Sequence, residues 1–209
     1  MGIQNKELKI SLIILAAGLS TRMRGQDKLL KEVNNRSILR NVCEVALKSQ
    51  ADEVNVILGS NALKREKTLE GLDINTYYCQ DFCKGMGASI RFGIKQLNPE
   101  FDGVVIMLAD MPDVIASDID ALIDSFNPAE SKEICRVTTE KGRVGHPVLF
   151  GKRFFERLKN LKGDRGALNI LKSEQAFLSE VIISDVRSNT DLNTPEDWEE
   201  WGKKNKLII

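Results

Sequence analysis

Proline, histidine, aromatic residues and long apolar runs are all scarce in this sequence. Five prolines in 209 residues, with no Ser-Gly or Pro-rich tract and no internal repeat, leave no linker at which to divide the chain. Residues 1–209 are therefore read as a single domain. A chain of this length buries roughly 70% of its extended surface on folding and needs no disulfide or metal to hold a core. The four cysteines, Cys43, Cys79, Cys83 and Cys135, include no C-x-x-C pair, and one histidine cannot complete a zinc set. Scattered thiols without a secretory leader fit a reducing, cytoplasmic setting. The longest strongly apolar runs, residues 12–17 and 104–109, fall far short of the roughly 20 residues that span a bilayer, so no membrane partner is expected. Lys plus Arg and Asp plus Glu are equal at 30 each, which removes the cationic excess that a dedicated nucleic-acid binder directs at phosphates. One histidine and no G-x-S-x-G turn also argue against a hydrolase triad.

What the sequence does contain is short apolar runs alternating with helical periodicity. Strands are predicted at 9–15, 53–58, 74–79, 103–108, 134–139, 147–150 and 181–185. Helices are predicted at 37–49, 61–69, 86–97, 117–125 with Ser117 as N-cap, 153–161, 165–173, and from Pro195 onward. Runs such as Leu12-Ile13-Ile14-Leu15 and Val104-Val105-Ile106-Met107-Leu108 are apolar on both alternating faces, as a parallel sheet covered on both sides requires. The fold class is α/β, and ligands are expected just beyond the carboxyl ends of the strands.

Three strand ends carry chemistry. After the first strand, Ala16-Ala17-Gly18-Leu19-Ser20-Thr21-Arg22-Met23-Arg24-Gly25-Gln26-Asp27-Lys28 combines small residues, whose backbone N–H groups can approach an anion, with Arg22, Arg24 and Lys28. It is neither a Walker A loop nor a G-x-G-x-x-G turn, and a plain solvated connection has the same composition. The strand at 103–108 ends in Ala109-Asp110-Met111-Pro112. Asp110 is placed where a divalent cation bridging phosphates needs an oxygen, although Asp is also a common turn or cap residue. Before the last helix, Asp191-Leu192-Asn193-Thr194-Pro195-Glu196-Asp197 offers further oxygens in Asp191 and Asn193. It also reads as a capping box, with Thr194 at N-cap and Asp197 at N3. Gln80, Gly85 and Ser89 surround a glycine-rich helix entry suited to a base, ribose or anion. His146, in Gly145-His146-Pro147, and the turn Gly163-Asp164-Arg165-Gly166 are either structural or substrate-facing. Cations, a carboxylate and no activated nucleophile make the equipment for transfer at phosphorus, where positioning and charge neutralisation dominate.

Taken together, Leu15-Ala16-Ala17-Gly18-Leu19-Ser20-Thr21-Arg22-Met23 with Lys28, Gly85-Met86 with Ser89, Leu108-Ala109-Asp110-Met111-Pro112, Gly145-His146-Pro147 with Phe150, Gly163 to Ala167, and Asp191 to Asp197 resemble the molybdenum cofactor cytidylyltransferase family. They occur in family order from residue 12 to residue 198. The resemblance implies a three-layer α/β/α sandwich with a mostly parallel sheet, Rossmann-like and of the nucleotide-diphospho-sugar transferase type. It further implies transfer of CMP from CTP to molybdopterin with Mg²⁺ and release of pyrophosphate, in the service of a client molybdenum hydroxylase. On that pattern Leu15, Ala16, Ala17 and Gly18 contact the nucleotide, Arg22 and Lys28 the triphosphate, and Asp110 the metal with help from Asp191 and Asn193. Gly145, His146 and Pro147 then border the pterin. Apart from that pattern, Gln80 after the third strand can offer both donor and acceptor to a cytosine edge. Two positions depart from the pattern: Arg24 lengthens the Arg22 to Lys28 spacing by one residue, and Asn193 replaces the Asp of many relatives. The alternatives are a nucleotidyltransferase for a sugar phosphate or other small phosphate, and a cofactor-binding chaperone without turnover.

Overall fold

The chain is described by a computed structural model over residues 7–184 and 192–205. Its elements run β1 (Ile10–Ala16), β2 (Glu32–Val33), β3 (Arg36–Ser37), α1 (Ile38–Ala46), β4 (Glu53–Leu58), α2 (Ala62–Lys67), β5 (Asn75–Tyr78) and α3 (Met86–Gln96). They continue through β6 (Gly103–Leu108), α4 (Ala116–Ser125), β7 (Ile134–Thr139), β8 (Val144–Gly151), α5 (Phe155–Leu158), α6 (Leu168–Ser173), β9 (Leu178–Ile183) and α7 (Pro195–Asn205). Seven strands form one sheet in the order β5-β4-β1-β6-β8-β7-β9. All neighbours are parallel except the two pairs made by β8, which runs against both β6 and β7.

The core follows from strand alternation. Leu12, Ile14, Val105 and Met107 point to one face, where Leu39 and Val42 of α1, Ile119 and Leu122 of α4, and Trp198 of α7 cover them. Ile13, Val104 and Ile106 point to the other face and meet Ile90 and Ile94 of α3, Phe155 of α5 and Ile170 of α6. Two packed cores on opposite sides of one sheet make this an α/β/α three-layer fold. Each fully buried aliphatic side chain contributes about 1.5–3 kcal/mol, so the central strands, buried along nearly their whole length, anchor the molecule.

The central elements lie where periodicity predicts them, whereas the periphery differs. Helix α4 is capped by Ile115 rather than Ser117: the Ile115 N–H donates to the Asp118 carboxylate at 3.1 Å, which moves the start to Ala116. The helix expected at 153–161 is a 3-10 turn over Lys152–Phe154 followed by only four α-helical residues. The one expected at 165–173 begins at Leu168, because Gly163 and Gly166 adopt positive φ and hold 163–167 as a turn. Strand β8 extends back to Val144 and contains a cis His146–Pro147 bond. Strand β9 starts three residues before the expected segment, whose last residue, Asp185, lies outside the described residues. The β2–β3 hairpin was not anticipated; Asn34 and Asn35 at its tip take φ of 53° and 62°, the left-handed values that a tight two-residue turn demands. Among the described residues no helix is long and apolar enough to cross a membrane.

Candidate active site

Strand β1 has β4 on one side and β6 on the other, so the order of the parallel strands reverses at its carboxyl end. A crevice opens at such a switch point. It is a cleft of roughly 290 Å³, lined by Leu15, Ala17, Gly18 and Lys28 after β1, Gly85 and Ser89 at the start of α3, and Asp110 after β6.

Lys28 joins the three parts of the site. Its ammonium donates to Asp110 Oδ2 and, at 2.9 Å, to Asn193 Oδ1. The Lys28 and Asp110 side chains are only 13% and 16% exposed, so their attraction is less screened than that of a surface pair. Asn193 is held in place by the start of α7. The Asn193 and Thr194 N–H groups donate to Asp197 Oδ2 at 3.0 and 2.7 Å, and the Asp197 N–H donates to Thr194 Oγ1 at 3.2 Å, which realises the expected capping box. Burial raises the Asp197 pKa, but the Thr194 and Asn193 hydrogen bonds and the charge of Arg22 outweigh it and hold the carboxyl below its usual value.

Asp110 and Asn193 turn hard oxygen atoms onto the Lys28 ammonium, and oxygen donors of this kind are what Mg²⁺ takes while it shares its shell with phosphates. The residues present therefore fit such a cation. Asp191 lies outside the described residues, and among the described residues no three His, Cys, Asp or Glu side chains gather as a metal cage.

The sequence did not reveal what shapes the first loop. Arg65, on α2 and fully buried, donates through Nε and Nη2 to both carboxylate oxygens of Asp27 at 2.9 Å. It also donates to the carbonyls of Ala16 at 2.6 Å and Gly18 at 2.8 Å. In sequence Arg65 is one cation in the run Lys64-Arg65-Glu66-Lys67, which reads as a solvated helix surface. No local signal distinguishes it.

The remaining candidates are dispersed. Ala16 is buried and offers the loop a carbonyl rather than a surface. Arg22 lies in the exposed 3-10 turn Thr21–Met23. Arg24 is turned away from the cleft and pairs with Glu196 of α7 at 2.6 Å, both side chains being largely exposed. Gln80 does not line the cleft: it is exposed in the turn after β5 and borders a separate depression with Asp81, Arg91 and Lys95. The sequence reading sets Gln80 against a base; the cleft that holds Lys28 and Asp110 is lined without it. His146 lines a second chamber of about 380 Å³ that shares Met86 and Asp164 with the first, and its Nδ1 lies 3.3 Å from the Ile106 carbonyl. Pro147 is buried in β8.

Residues 12–179 match the MobA-like NTP transferase domain. The chain belongs to this family. Purine catabolism protein PucB of Bacillus subtilis is 31% identical over 200 residues, covering 90% of this chain and 93% of PucB. Nicotine blue oxidoreductase of Paenarthrobacter nicotinovorans is 24% identical over 190 residues, covering 88% of this chain and 92% of that protein. Among solved structures, Rv0371c of Mycobacterium tuberculosis superposes with a TM-score of 0.82 at 27% identity, over 92% of this chain and 96% of that one. Its manganese complex superposes with a TM-score of 0.77 at 26% identity, over 92% and 97%. The MobA-like chain is thus a nucleotidyltransferase by family, with the family's fold.

Proposed function

We propose that this MobA-like protein transfers CMP from CTP to molybdopterin. In this reading an acceptor phosphate oxygen attacks the α-phosphorus of CTP, the bond to the bridging oxygen breaks, and pyrophosphate leaves. The observation that carries the reading is the convergence of Lys28, Asp110 and Asn193 beside the small-residue turn at the end of β1. Charge gathers there at a strand switch point. Lys28, with Arg22 from the turn Thr21–Met23, neutralises the triphosphate. Ala17 and Gly18 let the nucleotide approach the backbone, while Gly85 and Ser89 border it at the start of α3, whose dipole favours negative charge. Asp110 and Asn193, with Asp191, would hold Mg²⁺, which supplies charge neutralisation on the phosphates when bound.

The second chamber, bordered by His146 and the turn at Asp164, receives the acceptor. The two chambers adjoin at Met86 and Asp164, which line both. Ala17, 5% exposed, places a methyl group where the nucleotide meets the loop. That methyl favours a pyrimidine over a purine by the roughly 1–3 kcal/mol that one methyl group in a pocket discriminates.

The test is incubation with each nucleoside triphosphate, Mg²⁺ and molybdopterin, followed by product mass and pyrophosphate release. A cytosine dinucleotide product is expected. A GTP rate equal to or above the CTP rate would remove the cytidylyl assignment, and product formed only with a sugar phosphate would replace the acceptor. Tight pterin binding without any nucleotide turnover would instead indicate a carrier.

A further inference from the structure

Arg65 is fully buried and so cannot touch a substrate, yet it grips the loop that does. Four hydrogen bonds leave its guanidinium, two to Asp27 and one each to the Ala16 and Gly18 carbonyls. The carbonyls on either side of these are also taken: Leu15 O accepts from the Ala109 N–H at 3.2 Å and Ala17 O from the Ser60 N–H at 3.3 Å. Leu15 O thus faces β6, whereas the next three carbonyls, those of Ala16, Ala17 and Gly18, all turn toward the segment that follows β4. A trans peptide holds its C=O and N–H on opposite sides, so the N–H groups of Ala17, Gly18 and Leu19 must face the other way. All three residues line the cleft, and none of these N–H groups enters a turn or loop hydrogen bond within the described residues.

Asp27 extends the grip to the lysine beside it. Its carboxylate accepts from the Leu29 N–H at 3.0 Å, from the Ser20 hydroxyl at 3.4 Å and from Asn61 Nδ2 at 2.9 Å. Ser20 Oγ in turn accepts from the Lys28 N–H at 3.3 Å. Ser20 and Arg24 sit at φ of 53° and 51°, values that non-glycine residues hold only when their surroundings over-determine them. A buried ion pair is weak evidence for stability, because apolar residues often serve as well. Its directional bonds are what an apolar substitute lacks.

We propose that Arg65 and Asp27 are positioning residues: together they turn the amides of Ala17, Gly18 and Leu19 into an anion-binding nest and aim Lys28 at Asp110. The ligand class of that nest is the phosphate chain of the nucleotide or of departing pyrophosphate. The inference rests on the nucleotidyltransferase reading of the cleft and adds to it the means by which the loop is held.

The experiment titrates inorganic pyrophosphate and CTP, each with Mg²⁺, into wild type, Arg65→Lys and Asp27→Asn. It follows affinity by calorimetry, melting temperature, and the amide resonances of residues 17–19. Arg65→Lys keeps the charge but lacks the planar fork that serves two carboxylate oxygens and two carbonyls at once. It is expected to stay folded, to bind both ligands at least tenfold more weakly, and to lose the ligand-induced shifts at Ala17, Gly18 and Leu19 that wild type shows. Lysine therefore fails to rescue a function that depends on geometry. Folded Arg65→Lys with wild-type affinity overturns the proposal. Should that variant not fold, Asp27→Asn carries the same expectation and the same overturning outcome. Wild type that binds CTP with residues 17–19 unmoved overturns the positioning role alone, whereas wild type that binds neither ligand overturns the nucleotidyltransferase reading with it.

Discussion

Lys28 and Asp110, 82 positions apart in the chain, meet side chain to side chain at the mouth of the central cleft. One residue is carried by the loop after β1 and the other by the end of β6, so their contact depends on the parallel pairing of Leu15 with Leu108. Asn193, from the opposite end of the sequence, completes the group. Each member is ordinary alone; their shared position makes the site.

Asp110→Asn is expected to leave the fold intact and slow nucleotidyl transfer by two orders of magnitude or more, because charge stabilisation at the phosphates supplies several kcal/mol. Asn193→Ala should cost less, since an amide oxygen contributes only a dipole. Single-turnover rates on folded variants decide this, and a larger loss at Asn193 would reverse the ranking.

Lys28→Ala should weaken triphosphate binding by about 1.5–3 kcal/mol, the value of a charge-assisted contact, or roughly 10- to 100-fold in Kd. Arg24→Ala should be nearly silent in both binding and stability, because its exposed pair with Glu196 is worth about 0–1 kcal/mol. Calorimetry of CTP binding checks both. A silent Lys28→Ala with binding abolished in Arg24→Ala would mean that the lengthened loop delivers Arg24 to the phosphates.

Burial pushes the Cys43 and Cys135 thiols up to about 12 and also raises Cys79. Cys83 is exposed and lines the cleft. Near neutral pH a thiol reagent should therefore label one site quickly in the native protein, and saturating nucleotide should slow that reaction several-fold. Two or more fast thiols, or a rate indifferent to nucleotide, would contradict the placement of Cys83.

Burial alone would raise the Asp27 pKa, but the hydrogen bonds from Arg65, Asn61 and the Leu29 N–H, with the Arg65 charge, bring it below its usual 3.8. A depressed carboxyl stabilises the folded state fully above its unfolded pKa and loses that contribution as pH falls through the folded one. The stability difference between wild type and Asp27→Asn should thus be constant above about pH 5 and shrink below roughly 4. Denaturant unfolding from pH 2.5 to 6 measures it, and a pH-independent difference would show that Asp27 does not act as a charged clamp.

The sequence alone determined the parts that repeat a local rule. Strands β4, β6 and β7 coincide with their predicted spans; for β6 the reason is that a run apolar on both faces has one stable home, the middle of a covered sheet. Thr194, Pro195 and Asp197 announced a helix start because a capping box is built within four residues. Asp110 stands out in the sequence for a related reason: it follows β6 by two positions, where the loops of a parallel sheet meet, whereas Lys28 lies twelve positions past the end of β1 and reaches Asp110 only through the fold. The tertiary structure decided everything set by partners distant in sequence. It buried Arg65 against Asp27, 38 positions away, turned Gln80 out of the cleft and drew Arg24 to Glu196. It also delayed the start of α6 to Leu168, where Gly163 and Gly166 bend the chain. Local pattern reports whether a side chain prefers water, and Arg65 has the pattern of one that does. Only the assembled loop, with two carbonyls and a carboxylate converging on one guanidinium, repays its desolvation.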